Sequence, residues 1–132
     1  MATFKRFEDI EAWQKARVLV SEINTLIHTG KISRDFSFCD QLKRAGYSVM
    51  NNIAEGHERD GNREFIQFLS FSKGSTGEVK SMLYVAKDQE YIDDIVFKRL
   101  YELCGSIGAM VFGLMKYLKN TGKKGTKFGK MI

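Results

Sequence analysis

The chain runs for 132 residues without a single proline. Proline stops helices and presets turns, so its absence favours long, uninterrupted helices joined by short turns. The apolar residues are spaced to match. Over 9–28, Trp13, Ala16, Val20, Ile23 and Ile27 recur at steps of three and four, which puts them on one helix face, and Gly30 supplies a stop. Over 38–55 the stripe is Phe38, Leu42, Ala45, Val49 and Ile53. Ser37 is the candidate N-cap there, with Asp40 making a weak capping box, and Gly56 is the expected end. Over 62–89 the stripe is Phe65, Phe68, Leu69, Val79, Met82, Leu83 and Ala86, with Asp60 or Asn62 as the cap. Over 94–119, Val96, Leu100, Leu103, Ile107, Val111, Leu114 and Leu118 form the longest stripe, followed by Gly122.

The last two helices would each be about 40 Å long. Short connections make consecutive helices antiparallel neighbours. The expectation is an all-α, antiparallel up-down-up-down four-helix bundle over 1–119, followed by a flexible basic tail over 120–132. Hydrophobic residues make up 43% of the chain, enough for a core without disulfides or metal.

Charge divides unevenly. Lys119, Lys123, Lys124, Lys127 and Lys130 face no acid over 119–132, and the other 16 basic residues balance 16 acidic ones. The net charge of +5 therefore resides in 119–132, the end of the last helix and the tail. Such a tail reads either as a solubilising segment or as an electrostatic arm for nucleic acid. Cys39 and Cys104 are isolated, which fits a reducing cytoplasm. The first residues lack the apolar stretch of a signal peptide, and no run of 18 apolar residues exists. A soluble cytoplasmic protein is expected, with no membrane partner.

Beside its apolar stripe, the second helix carries Gln41, Arg44, Ser48, Asn52 and Glu55 at helical spacing. The third carries Glu64, Phe68, Phe71, Ser75, Glu78 and Met82. A tight turn around 57–61 lets the two stripes face each other, with Arg44 meeting Glu78 and Ser48, Asn52 and Ser75 completing the hydrogen bonds. Such a network serves as a register device or as a polar pocket. Gly74 and Gly77 interrupt the third helix, each at a cost of about 1 kcal/mol relative to alanine. Gly105, Ala109 and Gly113 form a small-residue row on the fourth. These smooth faces suggest close helix packing, within the bundle or in a homo-oligomer.

Signals for chemistry are sparse. His28 and His57 fall at helix ends, and Thr25 and Ala54 stand where a Glu-x-x-His metal pair needs its glutamates. HExxH, P-loop, GxGxxG and GxSxG motifs are absent. No catalytic residue, metal ligand, cofactor or small-molecule substrate is expected. An enzyme built on Arg44, Glu55 and Glu78 is the least favoured reading.

The stretch 41–92 resembles the 23S rRNA intervening-sequence protein family, also called the four helix bundle protein family. The resemblance rests on Arg44 and Ala45, Ser48 and Val49, and the run Asn52, Ile53, Ala54, Glu55, Gly56. It continues through Glu64 and Phe65, Phe68 and Leu69, Gly74 and Ser75, and Glu78, with Trp13 and Ala16 fitting as well. It covers about 7–119 and leaves the tail outside. It implies an antiparallel bundle, often a ring-like homopentamer, with no established catalytic residues. Some members are encoded inside insertions in 23S rRNA genes, which implies RNA or a ribonucleoprotein as a partner. Met50 replaces a common proline and Gly77 a common alanine, which puts an identical subunit arrangement in doubt. Three functions follow: an RNA-binding or ribonucleoprotein accessory module using the tail lysines, a protein-interaction scaffold, and the enzyme. Base stacking needs aromatics beside the lysines, and Phe128 is the one the tail offers.

Overall fold

The computed structural model describes residues 4–122. Four helices follow one another: α1 Glu11–Leu26, α2 Phe36–Glu58, α3 Asn62–Asp88 and α4 Asp94–Gly122. Short 3-10 turns at Phe7–Asp9 and Lys31–Arg34 precede α1 and α2. The helices alternate in direction around one core, as the short connections require, and the described residues include no strand. The tail lysines Lys123, Lys124, Lys127 and Lys130 lie outside the described residues, and Lys119 is an exposed part of α4.

The stripes read from the sequence build the core, with shifts that have physical causes. Phe38, Leu42, Ala45, Val49 and Ile53 are all buried, as are Leu69, Val79, Met82, Leu83 and Ala86. On α1, Leu19 takes the deep position and Val20 is half-buried. Val96, Leu103 and Leu114 are half-buried rather than buried. At 1.5 Å per residue, α1 is about 24 Å long against about 43 Å for α4, so it cannot cover that whole flank.

Helix ends differ from expectation. The N-cap of α2 is Asp35, not Ser37: the Phe38 N–H donates to Asp35 Oδ1 at 3.1 Å. The Tyr91 hydroxyl donates to the other oxygen of Asp35 at 2.6 Å, tying the start of α2 to the α3–α4 connection. These two bonds, Tyr91 first, hold the Asp35 carboxyl below its ordinary range. At the start of α3, Gly61 and not Asp60 or Asn62 occupies the N-cap position, at φ +90°. The buried Asn62 amide instead donates to the Leu118 carbonyl at 3.0 Å, fastening α3 to the end of α4. The end of α3 has Schellman geometry, with Tyr91 N–H on Ala86 O at 2.8 Å and Glu90 N–H on Lys87 O at 3.0 Å. Glu90 takes the left-handed position there, φ 59°, where glycine is usual.

Gly56 does not stop α2, which runs on to Glu58. At Gly56, α2 and α3 approach closely. A Cβ on it would lie 2.8 Å from Phe68 Cβ and 3.3 Å from the Phe65 carbonyl oxygen. Neither atom can swing aside. Gly74, equally helical, has open space around it. Gly56→Ala is therefore expected to lower stability by about 1–3 kcal/mol through overpacking. Gly74→Ala is expected to raise it by about 0.5–1 kcal/mol through helix propensity. Urea denaturation of the two variants checks the contrast.

Candidate functional site

The polar stripes of α2 and α3 divide into an inner seam and an outer fringe. In the seam, the Ser48 and Ser75 hydroxyls are 2.7 Å apart. The Asn52 amide donates to the Ser48 carbonyl at 2.8 Å and to Ser48 Oγ at 2.9 Å. One turn from Ser75, the buried Ser72 hydroxyl donates to the Val49 carbonyl at 2.7 Å. Small side chains let two helices approach closely, and buried hydroxyls then need partners within reach. Ser72 was not singled out in the sequence. Its spacing of three from Ser75 was the available signal.

The fringe does not close over this seam. Arg44 is 78% exposed and pairs with Asp40 on its own helix at 2.9 Å, instead of reaching Glu78. Glu55 pairs with Arg59 at 3.6 Å, and Arg59 also reaches Glu64 at 3.6 Å. An acid one turn away costs less side-chain ordering than one across the groove, so the local pairs win. Arg44, Glu55 and Glu78 therefore form no common cluster, and the catalytic reading of them loses its geometry. Among the described residues, no group of three or more His, Cys, Asp or Glu side chains converges as a metal site would require.

A different face, between α3 and α4, gathers charge and aromatic rings. Lys73, Lys80 and Lys87 recur every seven residues along α3, two turns or about 10.5 Å apart. Each ammonium lies over a ring of α4: Lys73 over Phe112 at 5.9 Å, Lys80 over Tyr101 at 4.6 Å and Lys87 over Phe97 at 4.9 Å. Lys116 also lies over Phe112, at 5.8 Å. Tyr84 packs edge-on against Phe97 and Tyr101 at 4.9 and 5.8 Å, and Phe97 stacks on Tyr101 at 5.3 Å. Tyr84 and Phe112 are each 50% exposed. Exposed cation–π pairs of this kind are worth about 0.5–1 kcal/mol each, so a stronger competitor can displace them.

Beside Phe112 runs a groove of about 360 Å³, lined by Lys73, Gly77, Lys80, Gly105, Gly108 and Phe112. Added Cβ atoms on Gly77 or Gly105 would meet nothing within 4 Å, and one on Gly108 would meet Thr76 Oγ1 at 3.4 Å. The expected close packing over Gly77 and Gly105 is thus not made within the bundle. Cys104 lines the groove beneath, and burial pushes its thiol up to about 12. It remains protonated at neutral pH and is no nucleophile. Sequence reading missed this face because the bundle's charges cancel in sum. The signal was the seven-residue lysine repeat on α3.

Helix order, core and seam together define a four-helix-bundle protein. It belongs to the 23S rRNA-intervening sequence protein family, which its residues 8–113 match. Among solved structures, it is similar to a protein of unknown function from the S23 ribosomal protein family of Bacteroides thetaiotaomicron. The two are 20% identical, with a TM-score of 0.74 over 80% of this chain and 95% of that one. At that identity the likeness concerns the fold. No curated protein matches the chain. Neither the family nor the solved relative is described by a catalytic activity. Among the described residues, no helix is long and apolar enough to cross a membrane.

The seam yields an energetic test. Ser48→Ala and Ser75→Ala are each expected to cost about 1–2 kcal/mol, because each leaves a partly buried partner short of a bond. The double variant should cost about 1 kcal/mol less than the sum, since the two share one interaction. Arg44→Ala should stay within about 0.5 kcal/mol of the parent. A double-mutant cycle by chemical denaturation reads all three.

Proposed function

We propose that the protein is a non-enzymatic RNA-binding accessory module that works as a homo-oligomer. The observation that carries this reading is the lysine–aromatic face of α3 and α4. RNA supplies phosphates for lysines and base faces for aromatic rings, and this face offers both along about 21 Å between Lys73 and Lys87. The tail adds Lys123, Lys124, Lys127 and Lys130 beyond Lys119. Membership of a family named for the intervening sequences of 23S rRNA supports the same partner class.

Oligomerisation is supported by exposed apolar residues away from that face. Val18 on α1, Tyr47 on α2, and Phe71 and Val85 on α3 are each 40–50% exposed. Several copies would bring several basic faces and tails to one RNA, which multiplies weak phosphate contacts into tight binding. Native mass spectrometry of the full chain reads the copy number, expected above one and, from the family resemblance, five.

RNA binding is tested by titrating the full chain and a chain ending at Lys119 with RNA across a salt series. The full chain is expected to lose affinity steeply as salt rises. Removing the four lysines beyond Lys119 should flatten the log–log slope by up to about 3, at about 0.7 per phosphate for single strands, and leave residual binding on the bundle. Absence of binding by either chain at low salt would refute the reading and favour a scaffold for protein partners.

A further inference from the structure

We infer that the α3–α4 face is a stacking track for single-stranded RNA, with Tyr84 and Phe112 as base platforms and Lys73, Lys80, Lys87 and Lys116 as phosphate contacts. The inference rests on the RNA reading above and specifies where and in what form the strand lies.

Charge on this face is one-sided. The groove lining includes Lys73 and Lys80 and no acid, and Lys87 beyond it is held by Asp94 at 3.4 Å. Lys119 lies one turn past Lys116, so the basic line continues toward the end of the helix. Lysine is depleted from the cores of protein–protein interfaces, and a protein partner here would have to bring acids for Lys73, Lys80 and Lys116. On the α2 ridge of a second copy, Asp40 and Glu55 are already paired with Arg44 and Arg59. A polyanion needs no such arrangement.

The rings decide between a duplex and a single strand. Duplex bases are stacked on each other and present no free face, whereas unpaired bases stack on aromatic side chains with little sequence preference. Phe112 lines the groove, and Tyr84 lies one turn of α3 beyond Lys80, which also lines it; both rings are half-exposed. The bare backs of Gly77 and Gly105 leave the strand room to approach. The lysines sit on the rings only as weak cation–π partners, so phosphate draws them aside and frees the ring faces for bases. The length of the track suits roughly four to six nucleotides, the lower range for a single-stranded binding surface.

The test uses the full chain and a fluorescein-labelled oligouridine of ~12 nucleotides, with a blunt RNA duplex of equal length as comparison. The paired variant Tyr84→Leu/Phe112→Leu removes both platforms and no charge. It is expected to weaken oligouridine binding about tenfold or more per platform, with duplex binding and salt slope unchanged. Lys73→Gln/Lys80→Gln/Lys116→Gln should instead flatten the slope by about 2. Unchanged helical circular dichroism and melting establish that each variant is folded; should the leucine pair fail that control, Tyr84→Phe/Phe112→Tyr must bind like the parent. Parental affinity in the leucine pair, with binding abolished by truncation at Lys119, would overturn the track while leaving RNA binding in place. A leucine pair that alters oligomer mass and not affinity would also overturn it, by showing that a second copy covers the face. No binding by the parent would remove the underlying RNA reading itself.

Discussion

The contact on which the rest of the molecule depends is the approach of α2 to α3 at Gly56. With no Cβ, this residue admits Phe65 and Phe68 to a distance no other residue allows. One and two turns back along α2, Asn52 and Ser48 join Ser75 in hydrogen bonds that only one register satisfies. A slip of one turn would bury hydroxyls and an amide without partners, which costs more than the slipped packing returns. Hydrophobic stripes alone tolerate such slips, because one leucine replaces another. The seam therefore supplies what the apolar core lacks, a single alignment.

That alignment determines what α3 shows on its other edge. Once the Ser72 and Ser75 side is turned against α2, Lys73, Lys80 and Lys87 must lie toward α4. Asn62 fastens the far end of α4 to the start of α3, and Thr76 meets Gly108 midway. The rings of α4 are thereby held opposite the lysines in order. The basic face is a consequence of register as much as of composition. Its charge is local: Lys73, Lys80, Lys87 and Lys116 gather on one face of a bundle whose acids and bases nearly balance.

Periodicity made the helices and most of the core legible, because burial demands apolar residues at 3.6-residue spacing and long helices repeat that demand many times. The Ser48–Asn52–Ser75 seam was legible for the same reason, with small polar residues recurring in phase on adjacent helices. The ends were less so. Asp35, Ser37 and Asp40 all suit an N-cap, and the choice of Asp35 depends on Tyr91, 56 residues away, holding its second oxygen. Gly56 looks like a terminator in sequence, and its neighbours in space were needed to show a contact point. Arg44 and Glu78 share the right faces, but spacing does not tell how far a long, exposed side chain will reach when Asp40 lies one turn away. The α3–α4 face was hidden by summing charge over the chain. Phe128, the aromatic the sequence offered for stacking, lies outside the described residues; the half-exposed rings of the α3–α4 face are Tyr84 and Phe112.

Ultraviolet cross-linking of the full chain to unlabelled single-stranded RNA, followed by mass spectrometry of the peptide adducts, would locate the strand. A base stacked on a ring is positioned to form a zero-length adduct with it. Adducts at Tyr84 and Phe112 are expected, with Tyr47 and Phe71 on the far side of the bundle unmodified. Adducts confined to residues beyond Lys119, or concentrated at Tyr47 and Phe71, would contradict the assignment of the RNA to the α3–α4 face.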